Sequence, residues 1–187
     1  MRKIVAGLYA SLAGVVDSGG SDSWQAPYLD AEALAGIEAG IAQADAILLG
    51  RRTYLEFAEL WPAQPDSPMT RFMNETPKYI ASTTLQSVEW TNSRLLTGEL
   101  TEALRTLRSQ PGKNILVPGS PRLVRVLLET GMLDELHLNI LPIAVGSGTH
   151  LFDGLADHVG LDLVEVTPLR SGVLSAAYHP AEPGSNR

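Results

Sequence analysis

Residues 46–57, Ala46-Ile47-Leu48-Leu49-Gly50-Arg51-Arg52-Thr53-Tyr54-Leu55-Glu56-Phe57, carry the pattern that decides the architecture. Ala46 to Leu49 is a short apolar run with no polar residue between its members, which is the composition of a strand buried on both faces. Gly50 ends it. Thr53 to Leu60 then reads as a helix, with Tyr54, Phe57 and the following Trp61 as packing residues. A strand buried on both faces needs a layer on each side, and a helix arriving directly after it supplies one. The unit therefore reads as one repeat of a parallel sheet.

The same alternation extends in both directions. Toward the N-terminus, Ile4 to Tyr9 is a second apolar strand, followed by a long Gly-, Ser- and Asp-rich loop from Ser11 to Ser23 with Val15 and Val16 in its middle. Loops of that length inside a compact domain are commonly functional. Asp30 caps a helix running to Ala44, with Ala33 opening its buried stripe and Leu34, Ile37 and Ile41 at helical spacing. Toward the C-terminus, Gln64 to Pro68 is a proline-rich connection. Strands are expected at Lys78–Ser82 and Arg94–Leu96, then a helix at Thr101–Ser109 capped by Thr101. A strand at Asn114–Val117 enters the tight turn Pro118-Gly119-Ser120-Pro121, and Leu123–Thr130 is helical, with Gly131 as its C′ residue. Leu136–Ile140 is a strand. Val159–Pro168 and Val173–His179 alternate and meet near Ser171-Gly172, which predicts a C-terminal antiparallel hairpin. The expected fold is α/β, three layers α/β/α, with a mostly parallel central sheet and that hairpin at its end. It forms a single domain over residues 1–180, and 181–187 is expected to be a disordered tail.

Bulk properties narrow the function. The chain has 187 residues, enough for one sizeable core, and 44% hydrophobic content, enough to fill it. A formal net charge of −7 argues against a nucleic-acid partner and against an anionic membrane surface. With no cysteine, disulfides, thiolate catalysis and Cys-based metal centres are excluded. The four histidines, His137, His150, His158 and His179, show no metal-ligand spacing, so no metal site is expected. No apolar run approaches the ~18 residues of a membrane helix, and no signal-peptide pattern opens the chain, so a cytoplasmic location is expected.

In an open parallel sheet, ligands bind beyond the carboxyl ends of the strands. Three segments fall there. Gly50-Arg51-Arg52-Thr53 joins a strand to a helix N-terminus, whose free N–H groups and partial positive charge suit a phosphate, and it adds two guanidinium groups. The same residues also serve as an ordinary strand–helix turn with solvated arginines. Ser82-Thr83-Thr84 offers three hydroxyls, which a capped turn would use equally well. Val117-Pro118-Gly119-Ser120-Pro121 repeats the strand–glycine–helix arrangement. No GxGxxG, Walker or GxSxG motif occurs.

These segments together resemble a known family. Ala6-Gly7 leading into Ser11-Leu12-Ala13-Gly14, Ile47-Leu48-Leu49-Gly50-Arg51-Arg52-Thr53-Tyr54, Pro118-Gly119-Ser120 before a helix, and Leu133-Asp134-Glu135-Leu136-His137-Leu138 with Pro142 and Gly146-Ser147-Gly148-Thr149-His150-Leu151-Phe152 resemble the dihydrofolate-reductase-like superfamily. The resemblance is strongest to the reductase domain of the bifunctional riboflavin-biosynthesis deaminase–reductase, and it spans residues 3–178. It implies a hydride-transferring reductase with an NADPH site, a small-molecule heterocyclic substrate and a homodimer. Ala6, Gly14, Val15 and Val16 would lie near the nicotinamide, under a mobile loop. Gly50, Arg51, Arg52 and Thr53 would hold phosphates, including the 2′-phosphate. Ser82 and Thr83 would flank the adenosine, and Val117, Gly119, Ser120, Arg122 and Leu123 would form the pyrophosphate turn. No proton donor is assigned. Three departures stand out: Ala13 replaces an aspartate, Ser120 replaces a second glycine, and the position of the folate-anchoring carboxylate falls at apolar Leu34, with Glu32 and Glu38 expected to point elsewhere. Dihydrofolate reduction and non-catalytic nucleotide or flavin binding are the alternative readings.

Overall fold

The structure, a computed structural model, describes residues 1–17 and 23–181. Eight strands form one sheet in the order β4-β3-β2-β5-β1-β6-β8-β7. They are β1 (Ile4–Ser11), β2 (Ala44–Gly50), β3 (Lys78–Ala81), β4 (Ser93–Leu95), β5 (Asn114–Pro118), β6 (Glu135–Leu141), β7 (Leu161–Pro168) and β8 (Leu174–Pro180). The strands from β4 through β6 are mutually parallel; β8 runs antiparallel to β6, and β7 antiparallel to β8. The five α-helices are α1 (Ala31–Ala42), α2 (Arg51–Leu60), α3 (Pro68–Glu75), α4 (Leu100–Ser109) and α5 (Pro121–Glu129).

Each face of the sheet has its own core. On one face Ile4, Ala6, Leu8, Ile115, Val117 and Leu136 pack under α4 and α5. On the other, Ile47, Leu49 and Ile80 pack with Tyr54 of α2, Met73 of α3 and Trp90. Helix α1 lies against β2 and α3. The strand order explains the division. The chain moves one way along the sheet from β1 to β4 and the other way from β4 to β6, and right-handed crossovers put the connecting helices of the two runs on opposite faces. At the adjacent strands β2 and β5, the outgoing helices α2 and α5 therefore diverge, and a crevice opens at the carboxyl ends.

The expected elements are present with shifts of a few residues at their ends. Helix α3 is an addition. The sequence reading stopped at the proline-rich connection, but Ser67 accepts a hydrogen bond from the Thr70 N–H and Pro68 sits in the first turn, where it loses no helical donor. Helix α4 starts at Leu100 under Glu99, which caps it by accepting from the Glu102 N–H; Thr101 instead lies inside the helix and donates its hydroxyl to Glu99. In α1 the buried stripe runs through Ala33 and Ile41, and Leu34 is 48% exposed. The stripe keeps Ala33 and Ile41 of the expected face, with Ile37 half-buried between them, and leaves out Leu34 at its edge.

The loop after β1 is fixed as far as Asp17. The Ser11 N–H donates to the Val15 carbonyl, Val16 to Thr149, Leu151 to Gly14, and the Thr149 N–H to Asp17 Oδ2. Residues 18–22 of the loop that was expected to be mobile, and residues 182–187 of the expected tail, lie outside the described residues. The 146–151 segment is part of this tie: Val15 pairs with His150 in an isolated bridge.

Candidate functional site

The crevice at β2 and β5 continues down the sheet face beside α1 as one cleft of about 2450 Å³. It brings together Gly50, Arg51, Arg52 and Thr53 from the β2–α2 junction and Gly119, Ser120, Arg122 and Leu123 from the β5–α5 junction. Ser82 and Thr83 beyond β3, Ala6 of β1 and Val16 also line it. Gly14, Val15 and Val117 do not line it; Val15 and Val117 are fully buried behind its wall.

The two junctions are locked to each other. Ser120 Oγ accepts from the Gly50 N–H at 3.0 Å, and the Ser120 N–H donates to Thr53 Oγ1 at 3.1 Å. The Gly119 N–H donates to the Gly7 carbonyl of β1. Ser120 takes up a left-handed conformation, φ 54° and ψ 51°, that costs a non-glycine residue about 1–2 kcal/mol. Its two hydrogen bonds, the one to Thr53 buried and the one from Gly50 partly so, offset that strain. The side chain that replaces the expected glycine therefore ties one loop to the other.

With those donors committed, the free ones are in the first turns of the two helices. Gly50 and Ser120 provide no side-chain cap to α2 and α5. The N–H groups of Arg51, Arg52 and Thr53, and those of Arg122 and Leu123, have no intrahelical acceptor by construction. They face one crevice with the positive ends of two helix dipoles behind them. Arg52 Nε lies 3.3 Å from Glu56 Oε1 on the exposed face of α2. Arg51 and Arg122 make no ion pair among the described residues. Ser82 Oγ accepts from the N–H groups of Thr84 and Leu85 and so closes its own turn, with Thr84 Oγ1 a further 3.5 Å hydrogen-bond partner.

The other half of the cleft has a different surface. Along β6, Leu136 and Leu138 enter the core, while Glu135, His137 and Asn139 point to the face that α1 leaves open. Strand register aligns these side chains in rows. Tyr9, Asn139 and Ser175 form one row across β1, β6 and β8, and Gly7 and His137 begin the next. A Cβ on Gly7 would meet nothing within 4 Å, so the floor is flat and open there. His137 Nε2 is 3.0 Å from Glu135 Oε2, and Lys3 Nζ donates to Glu135 Oε1 at 2.7 Å. Burial pushes the Glu135 carboxyl up, but the hydrogen bonds from Lys3 and His137 outweigh it and hold the group below the usual range. Burial, reinforced by Asp30, pushes the Tyr9 phenol up to about 12, so it is a neutral hydrogen-bond donor across the ordinary pH range. Glu32 also lines the cleft, above the small residues Gly36 and Gly40 of the same helical stripe, and accepts from the Arg170 N–H at 3.0 Å. This corrects the expectation that Glu32 points away.

Sequence reasoning did not assign Tyr9, His137, Asn139, Ser175 or Glu32. One signal for part of this set was present. The stretch Glu135-Leu136-His137-Leu138-Asn139-Ile140 alternates strictly, which marks a strand with one uncovered face even inside a parallel sheet. Among the described residues, no group of three or more His, Asp or Glu could hold a metal ion, and no helix is long and apolar enough to cross a membrane.

Known proteins share this fold. The RibD C-terminal domain family matches residues 2–175. The uncharacterized protein YyaP of Bacillus subtilis (strain 168) is 26% identical over 141 residues, 73% of this chain and 74% of its own. A pyrimidine reductase-like protein of Corynebacterium diphtheriae superimposes with a TM-score of 0.70 at 17% identity, over 97% of this chain and 92% of that one. A deaminase/5-amino-6-(5-phosphoribosylamino)uracil reductase of Thermotoga maritima does so with a TM-score of 0.69 at 15% identity, over 96% of this chain and 57% of its own. The architecture is the dihydrofolate-reductase-like one, with antiparallel strands at the C-terminal edge.

Proposed function

The chain belongs to the RibD C-terminal domain family, and from that membership and the cleft we propose that it is an NADPH-dependent reductase acting on a small heterocyclic substrate. The named activity it is most like is the reduction of 5-amino-6-(5-phosphoribosylamino)uracil. The observation that carries this reading is the pair of uncapped helix N-termini, α2 and α5, meeting over one crevice with Arg51, Arg52 and Arg122 around it. That arrangement suits the several phosphates of a dinucleotide.

The residues present fit such a cofactor. The first-turn N–H groups of α2 and α5 would bind the pyrophosphate, and Arg51 would bind the 2′-phosphate. Ser82 and Thr83 would lie beside the adenosine. The bare backbone of Gly7, next to Ala6, leaves room for a flat ring on β1. When bound, the cofactor supplies the hydride, and the protein supplies position and electrostatics. The Ser120–Gly50 and Ser120–Thr53 bonds hold the two phosphate loops at a fixed separation before any ligand arrives.

We further propose that the protein works in the cytoplasm as a homodimer, without nucleic-acid or membrane partners. The edge strand β7 supports pairing with a second copy. Leu163, Val164 and Val166 are exposed on it, beside the acidic Asp162 and Glu165 and a register shift between Leu163 and Glu165. Sedimentation at micromolar concentration should give twice the chain mass; a monomer would overturn this assignment.

The test of the reductase reading is a thermal-shift titration with NADPH, NADH and NADP⁺. At ~100 times Kd, one-site binding adds about 2.7 kcal/mol of apparent stability. A rise in Tm that favours the 2′-phosphorylated nucleotides is expected. No shift with any of the three would remove the cofactor assignment and leave only the fold.

A further inference from the structure

The two halves of the cleft differ in charge in a way that bears on the substrate. Among the described residues, the arginines lining it all belong to α2 and α5: Arg51, Arg52, Arg122 and Arg125. Arg125 is committed inward, donating to the carbonyls of His150 and Leu151. On the sheet-face half, among the described residues, no lysine or arginine lines the wall. Two cationic residues adjoin that wall, Lys3 at Glu135 and Arg170 at Glu32. Lys3 is held by Glu135. Arg170 sits outside the wall, in a shallow depression it shares with Asp30 and Glu32.

This half instead offers Tyr9 hydroxyl, Asn139 amide, Ser175 hydroxyl, His137 imidazole and the Glu32 carboxylate around the flat floor at Gly7. A phosphate monoester moved there from water would lose hydration and find no guanidinium or ammonium in exchange, and Glu32 would repel it. A planar ring with amide-like edges loses little and finds both donors and acceptors.

We infer that the sheet-face half of the cleft takes an uncharged, unphosphorylated nitrogen heterocycle, from the confinement of every lining arginine among the described residues to α2 and α5 and from the row of uncharged polar side chains Tyr9, Asn139 and Ser175 across β1, β6 and β8. The inference rests on the reductase reading for its division of the cleft into cofactor and substrate halves. It sets this chain apart from a reductase whose substrate carries a ribose phosphate.

The experiment uses the full chain saturated with NADPH, with backbone amides followed by NMR. Uracil and ribose 5-phosphate are the probes. Uracil should shift the amides of Gly7, Tyr9, His137, Asn139 and Ser175 saturably, and ribose 5-phosphate should act on them at least tenfold more weakly. Equal or tighter saturation by ribose 5-phosphate, or no response of these amides to uracil, overturns the inference while the cofactor assignment stands. Failure of NADPH itself to shift the amides of Arg51–Thr53 and Arg122–Leu123 is a separate result, and it overturns the reductase reading.

Discussion

Asp30, Ser67 and Glu99 each turn an oxygen onto a free N–H in the first turn of α1, α3 and α4, at 2.9 to 3.1 Å, whereas α2 and α5 start at Gly50 and Ser120 with no such oxygen. A side-chain cap contributes typically ~1 kcal/mol. The uncapped helices are the two that diverge from the adjacent strands β2 and β5 into the cleft. Stability alone would favour capping all five. Leaving those two open keeps donors for a ligand, so the capping pattern separates the part of the chain that supports the fold from the part that supports the site.

The sharpest way to break the comparison is to cap α2. Gly50 has ordinary backbone angles, φ −77° and ψ 158°, and a Cβ there would sit 3.6 Å from the nearest atom, an ordinary contact. The Cβ of Gly50→Asp is therefore accommodated, and the substitution places a capping carboxylate where the cofactor phosphate is proposed to bind. Stability should change by only a few tenths of a kcal/mol. Like-charge repulsion at a binding site costs several kcal/mol, so NADPH affinity should fall at least ~100-fold. Calorimetric titration beside a melting curve reads both. A stable Gly50→Asp protein that still binds NADPH at wild-type strength would mean that the α2 N-terminus is not a phosphate site.

Helix α3 shows the opposite extreme, closed at both ends. Lys78, fully buried on β3, donates from Nζ to the carbonyls of Met73, Asn74 and Thr76 and lies 4.4 Å from the centre of the Trp90 ring. Lys78→Met keeps most of the volume and leaves the three acceptors without their donor, which should destabilise the protein by about 2–3 kcal/mol with no change in nucleotide binding. Burial also pushes the Lys78 ammonium down to about 8 from its ordinary 10.5. Between those values the unfolded chain binds more protons than the folded one, so this group makes stability rise with pH across that window. The raised Tyr9 phenol acts in the opposite sense above pH 10. Denaturant midpoints from pH 8 to 10 should therefore rise for the wild type relative to Lys78→Met; parallel curves would show that Lys78 does not titrate there.

These contrasts also show which features the sequence made legible. The sheet and its switch point follow from apolar runs such as Ile47-Leu48-Leu49 and from the glycines that end them, because burial on two faces and a sharp turn each restrict composition strongly. The β2–α2 and β5–α5 junctions were legible for the same local reason. Lys78 was not: nothing in Lys-Tyr-Ile-Ala tells a buried capping lysine from one at a strand edge, since its acceptors are the carbonyls of a helix the sequence reading did not find. The edge of the α1 stripe was not legible either, because Ala33 and Leu34 are both apolar and only packing against β2 and α3 leaves Leu34 exposed. Nor was the place of Glu32, whose carboxylate accepts from the Arg170 N–H across 138 residues of sequence. The row Tyr9–Asn139–Ser175 depends on register between strands 130 and 36 residues apart in sequence, which local patterning cannot supply.

The smallest expected effect separates the two arginines of α2, which the sequence treats as equivalent. Arg52 is paired with Glu56 on an exposed helix face, an interaction worth only ~0.3–0.5 kcal/mol, whereas Arg51 has no partner among the described residues. If Arg51 holds the 2′-phosphate, Arg51→Ala should weaken NADPH roughly tenfold, about 1.4 kcal/mol, and leave NADH unchanged. Arg52→Ala should weaken NADPH less than threefold. Glu56→Gln decides whether Arg52 is a reserve cation: releasing it should strengthen NADPH only if its guanidinium can reach the phosphate. Unchanged affinity in Glu56→Gln, with the tenfold loss in Arg51→Ala, would place the discrimination on Arg51 alone. Equal losses for NADPH and NADH in Arg51→Ala would move the 2′-phosphate away from α2, and Arg122 at the start of α5 would become the residue to test.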